Sequence, residues 1–164
     1  MVTFEKLYEA FFDKIEKDKD FFSYNDVIVE DALKIAKMRS KRYLTEALST
    51  ISLKCTPDKC GKNFVDFDDE QEVLNYDLTY IELDIIASIM YEKYLFREFS
   101  KLKTQANRFI TKDFNVFSPA NERNSFTAMY QLIKNENNVL IDEYLSIDHS
   151  TGNILELDYS TIED

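Results

Sequence analysis

"LTYIELDIIASIMYEKYLFREFSKLK", residues 78–103, carries the reading of the fold. Thr79 and Glu82 stand three apart, the spacing of a capping box, in which each side chain accepts the other residue's backbone N–H. Leu78 and Leu83 fall at the hydrophobic-staple positions on either side. Downstream, Ile81, Leu83, Ile85, Ile86, Ala87, Ile89, Met90, Tyr91, Tyr94, Leu95, Phe96, Phe99 and Leu102 follow with few interruptions. A helix that is apolar nearly all round needs neighbours on several sides. The stretch therefore predicts a central helix reaching to about residue 104.

Upstream, Phe4, Leu7, Tyr8, Phe11, Phe12 and Ile15 repeat at helical spacing, with Thr3 as N-cap. Phe21, Phe22 and Tyr24 then tuck a loop against the core. A second helix begins near Asp26 or Glu30, with Ala32, Leu33, Ile35, Ala36, Met38, Tyr43, Leu44, Ala47, Leu48 and Ile51 as its apolar stripe. The β-branched "STISL" at 49–53 weakens it there. Residues 54–72, "KCTPDKCGKNFVDFDDEQE", read as a loop and a place for mobility or insertion. Downstream of the central helix, "QANRFITKDFNVFSP" (105–119) is too rich in aromatics for a floppy linker and reads as an ordered connection. Ser118 and Pro119 then supply the cap and first position of another helix. That helix carries Phe126, Met129, Tyr130, Ile133, Leu140, Ile141, Tyr144 and Leu145, and "NENN" (135–138) is a candidate interruption. Beyond it, Gly152 and Asn153 signal a turn. The expectation is an all-α bundle of four to five helices over residues 1–145. An extended or short β-hairpin C-terminal tail over 146–164 completes it.

Composition narrows the field. The chain has 164 residues, 45% hydrophobic and 31% charged, enough for one domain with a core. Two glycines and two prolines are too few for a sandwich or barrel and leave no phosphate-cradling loop. The net charge is −11, and residues 135–164 hold eight acids with no Lys or Arg. Binding to nucleic acid through phosphate neutralisation is therefore unexpected for the chain as a whole. "MVTFEKLYEAFF" does not read as a signal peptide, and no run is long enough to span a membrane, so a cytoplasmic protein is expected.

Candidate chemistry is sparse. Cys55 and Cys60 stand as C-x4-C, and the single histidine, His149, is far away in sequence. Free thiols are expected rather than a zinc site. The pairs Asp68–Asp69, Glu70–Glu72 and Asp142–Glu143 lie in polar runs, where a solvated face is the natural reading. No catalytic set, cofactor site or metal site is expected. The basic run "KIAKMRSKR", with Lys34, Lys37, Arg39, Lys41 and Arg42, is one helix face. It is either a solvated face or a partner surface. A basic face and an acidic tail on one chain are complementary, so copies associating head to tail is one reading.

The 78–103 run and "DFNVFSPANERNSF" (113–126) resemble small structural proteins of tailed bacteriophages of low-GC Gram-positive bacteria, the head–tail connector or neck proteins. "FFDKIEKDKDFFSY" (11–24) and "LIDEYLSIDHSTGNI" (140–154) fit the same likeness, which is clearest from Tyr76 to Asp148. The resemblance implies a virion protein assembled in the host cytoplasm: an adaptor subunit in a homo-oligomeric ring between portal and tail. Its partners would be the portal protein and other neck or tail proteins. DNA would pass through the channel without sequence-specific binding, and no membrane would be involved. By the same analogy the tail would dock on a neighbour, making Ile154, Leu157, Tyr159 and Ile162 interface residues beside the basic helix face. The alternatives are a tail-completion or head-closure neck protein and, in a different class, a small cytoplasmic phage regulator.

Overall fold

A computed structural model describes residues 1–16, 18–22, 24, 27–108, 119–148 and 153–155. Four long helices make the body: α1 (Phe4–Lys14), α3 (Val29–Lys54), α5 (Tyr80–Arg108) and α6 (Pro119–Leu145). Two single turns, α2 (Lys19–Phe22) and α4 (Pro57–Cys60), fill corners. The fold is the helical bundle that the sequence predicts. The small antiparallel sheet is built from elsewhere than the tail: β1 (Val2–Thr3), β2 (Phe67–Asp68) and β3 (Val73–Leu74), in the order β1-β3-β2.

Helix α5 is the hub, packing against α3, α6 and α1. Six consecutive residues, Ile85 to Met90, are buried, because neighbours cover it on several sides. Its capping box forms as expected. Thr79 N–H donates to Glu82 Oε2 at 2.6 Å, and Glu82 N–H donates to Thr79 Oγ1 at 3.3 Å. Leu78 and Leu83 both pack against the core.

The centre is aromatic. Phe11 meets Phe21, Tyr43 and Tyr94 with ring centroids 5.8, 5.8 and 6.2 Å apart, and Phe21 meets Tyr94 edge-on at 5.5 Å. Phe21 therefore makes the α2 corner part of the core. A fully buried side chain of this size contributes about 2–3 kcal/mol, and a surface ion pair about 0–1 kcal/mol. The ring cluster accordingly sets the arrangement of α1, α2, α3 and α5, and the surface charges decorate it.

Several local expectations change. Thr3 sits at the N-cap of α1 but its side chain makes no cap. Phe4 N–H instead donates to the carbonyl of Glu72, at 2.8 Å. The Ser/Thr-rich stretch does not weaken α3. Thr45, Ser49 and Thr50 hydroxyls donate to the carbonyls four residues back, while Leu48 and Ile51 are buried. Leu33 and Met38, placed in the apolar stripe from sequence, stand at the surface, and Ser40 takes the buried position, bonded to Ala36 O at 2.8 Å.

The stretch 54–72 is not a loose insertion. It contributes α4, the buried Phe64 and the hairpin strand β2. Asp68 Oδ1 accepts the N–H groups of Glu70 and Gln71, both at 2.9 Å, which folds the turn, and Glu72 takes a left-handed φ of 52°. "NENN" does not interrupt α6, because Asn137 is buried against α5. Pro119 opens α6 as expected. Ser118 and residues 109–118 lie outside the described residues.

Candidate functional site: a buried polar cluster and the helix surfaces

Glu82, third residue of α5, is 1% exposed. Besides its capping role it accepts Lys62 Nζ at 2.6 and 2.7 Å, and Tyr144 Oη at 2.6 Å. One carboxylate thus joins the loop after α4, the start of α5 and the end of α6. Burial pushes its pKa up, but the bonds from Lys62, Tyr144 and Thr79 outweigh that and hold it below the ordinary value. The Tyr144 phenol is driven up by burial and by donating to that carboxylate. Such a fully bonded carboxylate holds elements together and has no lone pair to spare for chemistry.

A second buried contact lies further along the α5–α6 seam. Asn137 Nδ2 donates to Ser88 O at 3.2 Å and to Glu92 Oε2 at 2.9 Å. Lys54, at the end of α3, reaches Asn138 Oδ1 at 3.1 Å and Asp142 Oδ1 at 3.4 Å. Cys55 and Cys60 lie beside the Glu82 cluster, both buried and both free thiols.

The predicted basic face is largely satisfied within the chain. Lys37 bonds Glu5 at 2.7 Å. Lys41 contacts Asp69 and Glu72 at 3.1 and 3.2 Å. Arg39 donates to Tyr24 Oη at 2.8 Å, lies 4.4 Å over the Phe21 ring and is 3.8 Å from Glu98. Lys34 pairs with Asp31, and Arg42 with Glu46, both on α3 itself. The acids that claim Lys37, Arg39 and Lys41 come from α1, α5 and the hairpin, which helix periodicity cannot locate.

A cleft of about 660 Å³ opens beside Arg39, with Phe21, Tyr91, Tyr94 and Glu98 among its walls. Its charged groups engage one another: Glu98 takes Lys101 as well as Arg39. Among the described residues no group of three His, Cys, Asp or Glu side chains is placed to hold a metal, and no helix is long and apolar enough to cross a membrane.

What the sequence reading missed is apolar surface. Val27, Ile28, Val29 and Leu33 are exposed at the start of α3, Ile28 by 65% and Val29 by 86%. Val27, Val29 and Leu33, with Phe22, Tyr24 and Ala32, surround a hollow of about 350 Å³. Met129, Leu132 and Val139 stand out from α6. The signal was present in "VIV" (27–29), whose three apolar residues in a row cannot all lie on one helix face.

At the C-terminal end, Ile147 and Ile154 form an antiparallel bridge. Asp148 N–H donates to Asn153 O at 2.8 Å, and Leu155 N–H to Ser146 O at 2.7 Å. Ile154 is exposed. Leu157, Tyr159, Ile162 and His149 lie outside the described residues. Comparison with protein-family models, curated proteins and solved structures returned no match.

Proposed function

We propose that this chain is a structural virion subunit, a head–tail connector between portal and tail that acts by fit between protein neighbours. The observation that carries the reading is the exposed apolar group Val27, Ile28, Val29 and Leu33 on a body whose buried carboxylate and amide are spent on joining helices. Contiguous apolar surface on a charged protein marks a contact with another macromolecule. The resemblance of the 78–103 and 113–126 runs to phage neck proteins says which kind. A net charge of −11 suits a ring around DNA, since like charge lets the duplex slide rather than stick. In this reading Ile154 and the rest of the tail, and the outward-facing Lys34 and Arg42, border the contacts to portal and neighbouring copies.

Mass spectrometry of purified particles from a phage encoding this chain tests the proposal. A connector is present in roughly portal-like copy number. Labelling at the tail tip rather than the neck would point to tail completion. Absence from particles, with expression early in infection, would replace the reading with the regulatory one.

A further inference from the structure

Helix α6 is continuous but not uniform along its length. From Asn124 to Glu136 every side chain is exposed or half-buried, whereas Asn137, Ile141 and Tyr144 are buried. The bonds of Asn137 to Ser88 and Glu92, of Tyr144 to Glu82, and of Lys54 to Asn138 and Asp142 all fall in the second part. The first part rests on α5 through rings. Tyr130 lies 5.7 Å from Phe96, and Phe126 is stacked 5.6 Å from Phe99. This cover is thin, since Phe96 is still 52% exposed. Phe126 is also a wall of the cleft that Ile15 and Glu16 border, so on that side a cleft separates α6 from the end of α1. The end of α5 beneath is held independently by α3. Arg97 lies 5.2 Å over the Tyr43 ring and 3.9 Å from Glu46, and Glu98 is 3.8 Å from Arg39.

We propose that α6 carries a hinge at "NENN" (135–138): the part before it is an arm that swings off α5, while the part after it stays latched. Asparagine is a poor helix former, and three of them stand at this junction. The Asn137 amide, pinned to Glu92 and Ser88, keeps the junction helical in the closed chain. The latch is buried and hydrogen-bonded to α5, so it outlasts the arm. Regions with few buried contacts open at lower free energy than the core.

A detached arm does not stay helical, because most helical stability in proteins comes from packing of one face on a neighbour. Opening therefore releases its backbone N–H groups to solvent. It also uncovers Phe96 and Phe99 on α5 and Phe126, Tyr130 and Ile133 on α6, an apolar surface that the closed chain keeps against itself.

Amide hydrogen exchange of the full chain at neutral pH, read by mass spectrometry on overlapping peptides, tests the hinge. After correction for intrinsic rates, amides of 124–134 are expected to exchange about tenfold or more faster than those of 139–145, with a step across 135–138. Tyr130→Ala, which removes the ring set against Phe96, is expected to speed the first group about threefold or more and to leave the second unchanged. A single rate from 124 to 145 would overturn the proposal, because α6 would then open as one unit. So would a smooth gradient from the helix start, which is end fraying without a hinge, or equal acceleration of both groups by Tyr130→Ala. If that variant fails to fold, the wild-type profile decides alone. The exchange pattern belongs to the free chain and is independent of whether the chain enters particles.

Discussion

At the scale of single residues the decisive group is Glu82. It accepts bonds from Lys62, Tyr144 and Thr79, so three elements lose their common partner if it goes. Glu82→Ala is expected to cost about 3 kcal/mol or more, measured by urea unfolding, because Lys62, Tyr144 and the first turn of α5 all lose the carboxylate they share. The pH dependence has a definite sign. The folded carboxylate has a depressed pKa, so its contribution is complete above the ordinary value of about 4.3. It is lost as pH falls through the lower folded value. Glu82→Gln should lower the stability plateau at neutral pH and flatten the acid limb. An acid limb identical to wild type would show that the carboxylate is not the group responsible. Tyr8 gives the opposite case. Its ring is buried and its hydroxyl has no hydrogen-bond partner among the described residues, and burial, with Glu72, Asp69 and Glu5 nearby, raises its pKa. Tyr8→Phe removes a desolvated polar group at little cost in shape. Its denaturation midpoint is expected at or above the wild-type value, by up to about 1 kcal/mol in stability.

At the scale of elements, α6 depends on α5. The helix packs chiefly on that long neighbour, and Asn137, like Tyr144 on Glu82, is a polar contact in the seam. Replacing Asn137 by alanine takes the amide donor from a buried Glu92 oxygen. A loss of about 1–3 kcal/mol is expected, with amide exchange accelerating in α6 before it does in α1 or α3. Uniform acceleration across all four long helices would show instead that α6 does not open independently. The capping box was legible because Thr79 and Glu82 are near in sequence and the motif is local. The continuity of α6 through "NENN" was not, since the compensation for its poor helix formers lies on another helix. The sheet was illegible for the same reason. β3 is stabilised by β1, about seventy residues earlier in the chain, and no local pattern in "DFDDEQE" announces it.

At the scale of the whole molecule, the exposed group at the start of α3 is where assembly is expected to fail. Ile28→Ser with Val29→Ser removes apolar surface that makes little contact within the chain. The isolated chain's melting temperature should stay within about 2 °C of wild type, because exposed substitutions change stability by less than about 0.5 kcal/mol. Under the proposed connector function, incorporation into particles, scored by complementing a phage deleted for this gene, is expected to drop at least tenfold. Normal incorporation would remove this surface from the proposed contacts. Charge reversal at Lys37 tells less about assembly than the sequence suggests. That side chain is bonded to Glu5, and reversing it perturbs the α1–α3 contact first.

The sequence by itself determined the four long helices, most of their apolar stripes, the cap of α5 and its central place, because these follow from spacing within a few residues and from the amount of apolar surface to be covered. Tertiary structure decided which charges are consumed and which side chains are left outside. The cations of α3 find acids on α1, α5 and the hairpin. Leu33, which sequence places in the stripe, lies where the helix outruns the core. Cys55 and Cys60, loop thiols on paper, are both buried. Each of these outcomes depends on distances between segments far apart along the chain, and only packing of the bundle sets those distances.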